Sequence, residues 1–159
     1  LNYLEKNNCL DALNKGLVRI KYDPVDNRCL FMMNNGEGAV GRSLSDKNPK
    51  WLSYGDVSGV LQVGTHTTGV VVEDAPSACS VASTGMFTGI AILGTSITQK
   101  QKRHLTSFNH LIICLDNDAK NKAMMLLSQL RGLVSTSVRF ISNDLKHETT
   151  NHIAKILED

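Results

Sequence analysis

The sequence that decides the fold class reads VVVE at residues 70–73 and LIICLD at residues 111–116. In both stretches a run of apolar residues ends at an acidic residue, and a helical pattern follows. Strands that are apolar on both faces and alternate with helices are typical of a parallel sheet covered on both sides. The same rhythm predicts further strands at residues 89–93 and 137–141, and helices at residues 76–83, 99–107, 119–130 and 147–157.

Residues 1–64 have a different texture, with a short amphipathic helix predicted at the start and then strands separated by turns. These strands are expected at residues 17–22, 29–33 and 39–44. The sequence therefore predicts a small antiparallel, β-rich α+β subdomain over residues 1–64, followed by an α/β domain over residues 65–159.

Composition limits the classes of protein to consider. The 159 residues are 42% hydrophobic and 20% charged, which suits a packed core and excludes a disordered chain. A net charge of +2 is too small to indicate nucleic-acid binding by itself. The four cysteines form no C-x-x-C pair, so we expect neither structural zinc nor disulfides, and a reducing cytoplasmic setting. Every apolar run is too short to span a membrane, so no membrane partner is expected.

Acidic residues stand where the predicted parallel strands end. Glu73 ends the first strand, Asp116 ends the third, and Asp118 follows two residues later. Ligands of parallel α/β sheets bind at this edge, and clustered carboxylates repel one another unless a cation is bound. Oxygen ligands of this kind suit Mg²⁺ or Mn²⁺ better than zinc. The alternative is that Asp118, like Asp74, only caps the helix that follows it.

The motifs around these acids resemble those of Toprim domains. Residues 71–78 (VVEDAPSA) resemble the first Toprim signature, and residues 114–119 (CLDNDA) resemble the second, which is a D-x-D motif. Residues 142–145 (SNDL) resemble the stretch that supplies a further acid in primases, which makes Asp144 a candidate ligand.

The first half resembles the N-terminal subdomain of phage-type primases. The matching stretches are residues 22–24 (YDP), 28–31 (RCLF), 40–44 (VGRSL) and 49–55 (PKWLSYG). The resemblance implies a Toprim-like, mainly parallel sheet flanked by helices and preceded by the small antiparallel subdomain.

The function that the resemblance implies is that of the catalytic core of a DNA primase. Such a core synthesises short primers from nucleoside triphosphates on single-stranded DNA, in the host cytoplasm if it is phage-encoded, with a replicative helicase as a further partner. Glu73, Asp116 and Asp118 would be catalytic and, with Asp144, would hold one or two Mg²⁺ or Mn²⁺ ions; no organic cofactor is expected. The candidates for nucleic-acid or nucleotide binding are basic: Arg28, Arg42, Lys50 and Lys122.

Other interpretations stay open at this level. The same acids would serve a Toprim nuclease that uses water as the nucleophile, or a module that binds nucleic acid without catalysis. The basic candidates are equally compatible with ordinary surface charge. The chain also departs from the primase pattern: Asp74 stands where many members have glycine, and Leu145-Lys146-His147 follows the third acid in place of an Asn-Glu pair.

Overall fold

The computed structural model describes residues 1–94 and 96–158, and these residues form two sheets. The first sheet is four-stranded and antiparallel. Two short helices precede it, α1 (Asn2–Lys6) and α2 (Leu10–Asn14). Its strands pair in chain order: β1 (Ile20–Asp23), β2 (Arg28–Met32), β3 (Gly38–Ser43) and β4 (Trp51–Gly55). Asn27 and Gly36 lie in the left-handed region, with φ of 50° and 76°, and this conformation suits the tight reversals on either side of β2.

The second sheet has five strands in the order β5-β7-β6-β8-β9. These strands are β5 (Leu61–Val63), β6 (Thr68–Val72), β7 (Thr88–Ala91), β8 (His110–Ile113) and β9 (Ser135–Val138). All neighbours pair in parallel except β5, which is an antiparallel edge strand against β7. The prediction of a mainly parallel sheet is therefore confirmed.

Four helices cover this sheet: α3 (Ala75–Ala82), α4 (Gln99–Leu105), α5 (Lys120–Leu130) and α6 (Thr150–Leu157). Alternate residues of β6 point to opposite faces, so Val70 and Val72 join the core that contains α3 and α6, while Val71 joins the core that contains α4 and α5. Because both faces are buried, the strand sequence had to be apolar throughout, and this is the signal on which the prediction rested.

Helix α3 lies unusually close to the sheet. A Cβ added at Gly89 in β7 would stand only 2.1 Å from the carbonyl oxygen of Ala78. Only glycine allows this approach, which packs the middle of α3 directly against the backbone of β7.

The element boundaries differ from the predictions in several places. β4 and β5 were not predicted, the initial helix is two helices, and the last helix begins at Thr150, after a 3-10 turn at Leu145–His147. β5 precedes residue 64 yet belongs to the second sheet, and one hydrophobic core contains residues of both halves. The division into domains at residue 64 stays a prediction. Among the described residues, every helix is too short or too polar to cross a bilayer.

Candidate metal centre

The topology of the second sheet brings two strand ends together at its centre. From β6 the chain passes to β7 on one side and then returns across β6 to β8 on the other. The crevice between β6 and β8 is therefore the point where the strand order reverses, and ligands of open α/β sheets bind at such points. Cys114 N donates to Val71 O at 2.9 Å, which holds the two strand ends in register up to this edge.

Three carboxylates converge at this crevice. Glu73 follows β6, while Asp116 and Asp118 follow β8, and one oxygen of each lies within 4.8 Å of the others. Glu73 and Asp116 are half-buried and Asp118 is exposed, so the cluster is open to solvent on one side. A purely oxygen donor set with open positions fits Mg²⁺ or Mn²⁺, which retain water and bind phosphate oxygens in addition to carboxylates.

The electrostatics of Asp116 reflect this crowding. Desolvation by burial, followed by repulsion from Glu73, Asp144 and Asp74, raises the pKa of Asp116 to about 7. The metal-free site therefore carries repulsion that a bound cation would relieve.

The acids of the two turns differ in whether their side chains cap a helix. Asp74 is the N-cap of α3, and its Oδ1 accepts a hydrogen bond from Ser77 N at 2.9 Å. Among the described residues, by contrast, neither Asp116 nor Asp118 makes a side-chain cap of the 3-10 turn (Asn117–Ala119) or of α5. The alternative prediction was right for Asp74, whereas the carboxylate of Asp118 has no capping role that would compete with a ligand.

Comparison with known proteins agrees with this arrangement, since residues 70–145 match a family model described as Toprim-like. The matched residues include Glu73, Asp116 and Asp118. The chain is also 30% identical over 117 residues to a DNA primase of Halalkalibacterium halodurans, an alignment that covers 62% of this chain and 20% of that protein. The chain thus spans about a fifth of the length of this curated relative.

Solved structures extend the likeness to the first half of the chain. A DnaG primase catalytic domain bound to single-stranded DNA superposes with a TM-score of 0.68 at 20% identity, covering 98% of this chain and 61% of that one. The RNA polymerase domain of Mycobacterium tuberculosis primase DnaG superposes with a TM-score of 0.67 at 18% identity, covering 93% of this chain and 60% of that one. The fold of the described chain, including the antiparallel sheet that precedes the parallel one, thus matches 61% of the DNA-bound DnaG catalytic domain.

Asp144, predicted as a further metal ligand, lies apart from the three converging acids. It follows β9, the neighbour of β8, but it does not belong to the group of ligand atoms within 4.8 Å. Its Oδ2 lies 3.5 Å from Nζ of Lys146, and the same ammonium lies 2.5 Å from Oδ2 of Asp74. Although burial opposes the charged form, the carboxylates of Asp74, Asp144 and Asp116 raise the pKa of Lys146 above its ordinary value.

The basic candidates lie in different environments. Arg42 is half-buried in β3, with its Nη1 donating to Ser43 O and its guanidinium 5.8 Å from the centre of the Tyr3 ring. Lys50 is exposed. The ammonium of Lys122, on α5, donates to Gly94 O beyond the end of β7.

Arg28 differs from these three because it is 0% exposed. Its Nε donates to Asp26 Oδ2 at 2.7 Å, and its Nη1 donates to Gly41 O at 3.2 Å. The guanidinium thus ties β2 to β3 and the preceding turn, so Arg28 is placed as a structural residue and not on a surface that a template could contact.

Sequence reasoning noticed Lys146 only as a departure from the primase pattern. Its partner Asp74 lies 72 residues earlier, so no local spacing indicated the contact. Asn8 was missed altogether, although its Nδ2 donates to the carbonyls of Lys146 and Glu148 at 3.0 and 2.7 Å and so holds the turn that carries Lys146.

Proposed function

We propose that this chain is part of the catalytic core of a DNA primase, a metal-dependent nucleotidyltransferase that extends primers on single-stranded DNA. One observation carries the proposal: the convergence of Glu73, Asp116 and Asp118 at the switch point of a sheet that is preceded by the antiparallel sheet of the primase core. The Toprim-like match and the sequence likeness to a bacterial DNA primase support the same reaction.

The residues of the site suit phosphoryl transfer. Glu73, Asp116 and Asp118 would hold a Mg²⁺ or Mn²⁺ ion, and its positive charge would offset the negative charge of the nucleotide phosphates and polarise the attacking hydroxyl. Glu73 and Asp116 stand on neighbouring strand ends and form the rigid part of the donor set, while exposed Asp118 completes it from the solvent side. Asp116 must lose its proton to act as a ligand. Because its pKa is raised to about 7, we expect metal binding to be favoured in neutral or alkaline solution over acid.

Basic side chains supply candidate contacts to nucleic acid. Arg42 and Lys50 belong to the first half of the chain, whose fold matches a catalytic domain that binds single-stranded DNA. Lys122 is the candidate for a nucleotide phosphate, because it projects from α5 toward Gly94, near the same edge of the sheet. We propose single-stranded DNA and nucleoside triphosphates as substrates, a replicative helicase as a partner, and a cytoplasmic setting, that of the host cell if the protein is phage-encoded.

Primer extension tests the proposal directly. An RNA primer annealed to mixed-sequence single-stranded DNA removes the need for a start site, and labelled ribonucleotides with Mg²⁺ or Mn²⁺ report elongation. We expect extension by the wild type and by Glu37→Ala, which removes an exposed acid before β3. Asp118→Ala is expected to lose at least about a hundredfold in rate, because a metal ligand is gone.

The possible outcomes separate the functions that share these acids. Metal-dependent shortening of the template without extension would replace the primase proposal by a nuclease. DNA binding without either reaction would indicate a non-catalytic module. Equal extension by wild type and Asp118→Ala would show that the chemistry takes place elsewhere.

A further inference from the structure

Within the described part of the chain, five carboxylates follow the ends of β6, β8 and β9, and they fall into two groups. Glu73, Asp116 and Asp118 converge on one point. Asp74 and Asp144 instead face the ammonium of Lys146, at 2.5 and 3.5 Å. Lys146 therefore pairs with two of the five acids, and the other three remain available to bind a metal ion.

Lys146 is built into this position. Its side chain is only 15% exposed, and Asp74 is 16% exposed, so the pair is largely removed from water. A partly buried ammonium between carboxylates is strongly favoured over either charge alone, since an unpaired charge at this depth carries a large desolvation cost. Leu145, which precedes the lysine, is 1% exposed and anchors the turn in the same core as α3.

Further hydrogen bonds hold Lys146 and Asp74 in place. Asn8 Nδ2 donates to the carbonyls of Lys146 and Glu148, and these bonds tether the backbone of the turn that carries the lysine. Asp74 is held in turn, because its other oxygen caps α3 through Ser77 N. The ammonium thus lies between two carboxylates and is largely shielded from solvent, unlike that of a typical surface lysine.

We propose that the ammonium of Lys146 occupies the place of a second divalent cation, so that the site binds one Mg²⁺ or Mn²⁺ ion. This inference rests on the metal site of the proposed function, and it goes further by stating the number of ions and by assigning Asp144 to Lys146. The lysine offsets one of the two negative charges of Asp74 and Asp144, which together would otherwise attract a cation beside the first one.

Counting bound Mn²⁺ tests the inference without any activity assay. Electron paramagnetic resonance of free Mn²⁺, titrated with the chain, gives the stoichiometry for each variant. We expect one ion for the wild type and two for Lys146→Met, in which Asp74 and Asp144 lose their cation. Lys146→Gln, which keeps a hydrogen-bond donor, gives the same expectation and replaces Lys146→Met should that variant fail to fold by circular dichroism.

Two further variants test whether the change in the number of bound ions is specific to Lys146 and its partners. Lys100→Met removes an ion-paired lysine that bridges to Asp56 outside the site, and it should still bind one ion. Adding Asp74→Asn to Lys146→Met restores the charge balance and keeps the helix cap, so the count should return to one.

Two results would overturn the inference. One is a single ion in both Lys146→Met and Lys146→Gln, and the other is two ions in the wild type; primer extension by the wild type would leave the proposed function standing in either case. Failure of the wild type to bind any Mn²⁺ would reject the metal site and the inference together, and the extension assay would report that failure separately.

Discussion

The turn after β6 and the turn after β8 both place two acids at a strand end, yet they use them differently. In the first, Glu73 faces the crevice while Asp74 caps α3 and pairs with Lys146. In the second, Asp116 and Asp118 both join the converging group. The difference teaches that an acid before a helix is assigned to structure or to chemistry by its hydrogen-bond partners and not by its position in the motif.

The largest effect expected from this difference is on catalysis. Asp116→Asn should lower the rate of primer extension on the order of 10³-fold, because a neutral amide is a poor ligand for Mg²⁺ and the group cannot be replaced from solvent. Asp74→Asn keeps the cap and lies outside the converging group, so its rate should fall less than about tenfold. If both variants lost the same factor in extension rate in this assay, the two turns would not differ in their role in catalysis.

The second expected effect is on the pH dependence of metal binding. Because the pKa of Asp116 is raised to about 7 in the metal-free protein, a proton competes with the cation below that pH. The association constant for Mn²⁺, measured by calorimetry, should therefore rise up to about tenfold per pH unit as the solution approaches pH 7, and then level off.

Asp116→Asn provides the control for this profile. Its residual binding should lose the inflection near pH 7, because the titrating group is absent. An unchanged inflection in that variant would assign the proton to another group of the site.

The smallest expected effect is on stability. Asp74→Ala removes the cap of α3 and one partner of Lys146, and it should lower the free energy of unfolding of the metal-free protein by about 1–2 kcal/mol. Asp118→Ala removes an exposed group that caps nothing among the described residues, so its change should stay within about 0.5 kcal/mol. Urea unfolding in the presence of a chelator measures both, and a larger loss for Asp118→Ala would contradict the assignment.

Much of the site was predictable because the signal is local. Glu73 and Asp116 each follow an apolar run, and parallel strands align their carboxyl ends, so the sequence predicted that these acids would meet. Asp118 was predicted as a ligand, with a helix cap as the alternative. No side-chain cap is present at this turn among the described residues, and the role of Asp118 as a ligand stays a prediction. The failure to predict β4 has a local cause as well: residues 51–55 (WLSYG) are half-exposed and mixed in polarity, so they lack the apolar run of a buried strand.

The sequence by itself determined the α/β class, the antiparallel first sheet, the mainly parallel second sheet and the acids at its carboxyl edge. These features depend on periodicity and on residues close together in the chain. Only the tertiary structure decided that Arg28 is buried, that Asn8 holds the turn of Lys146, and that Lys146 pairs with Asp74. Each of these features depends on contacts between segments distant in sequence or on the packing around a charged side chain. Such contacts do not follow the period of a helix or a strand, so the pattern of residues along the chain does not indicate them.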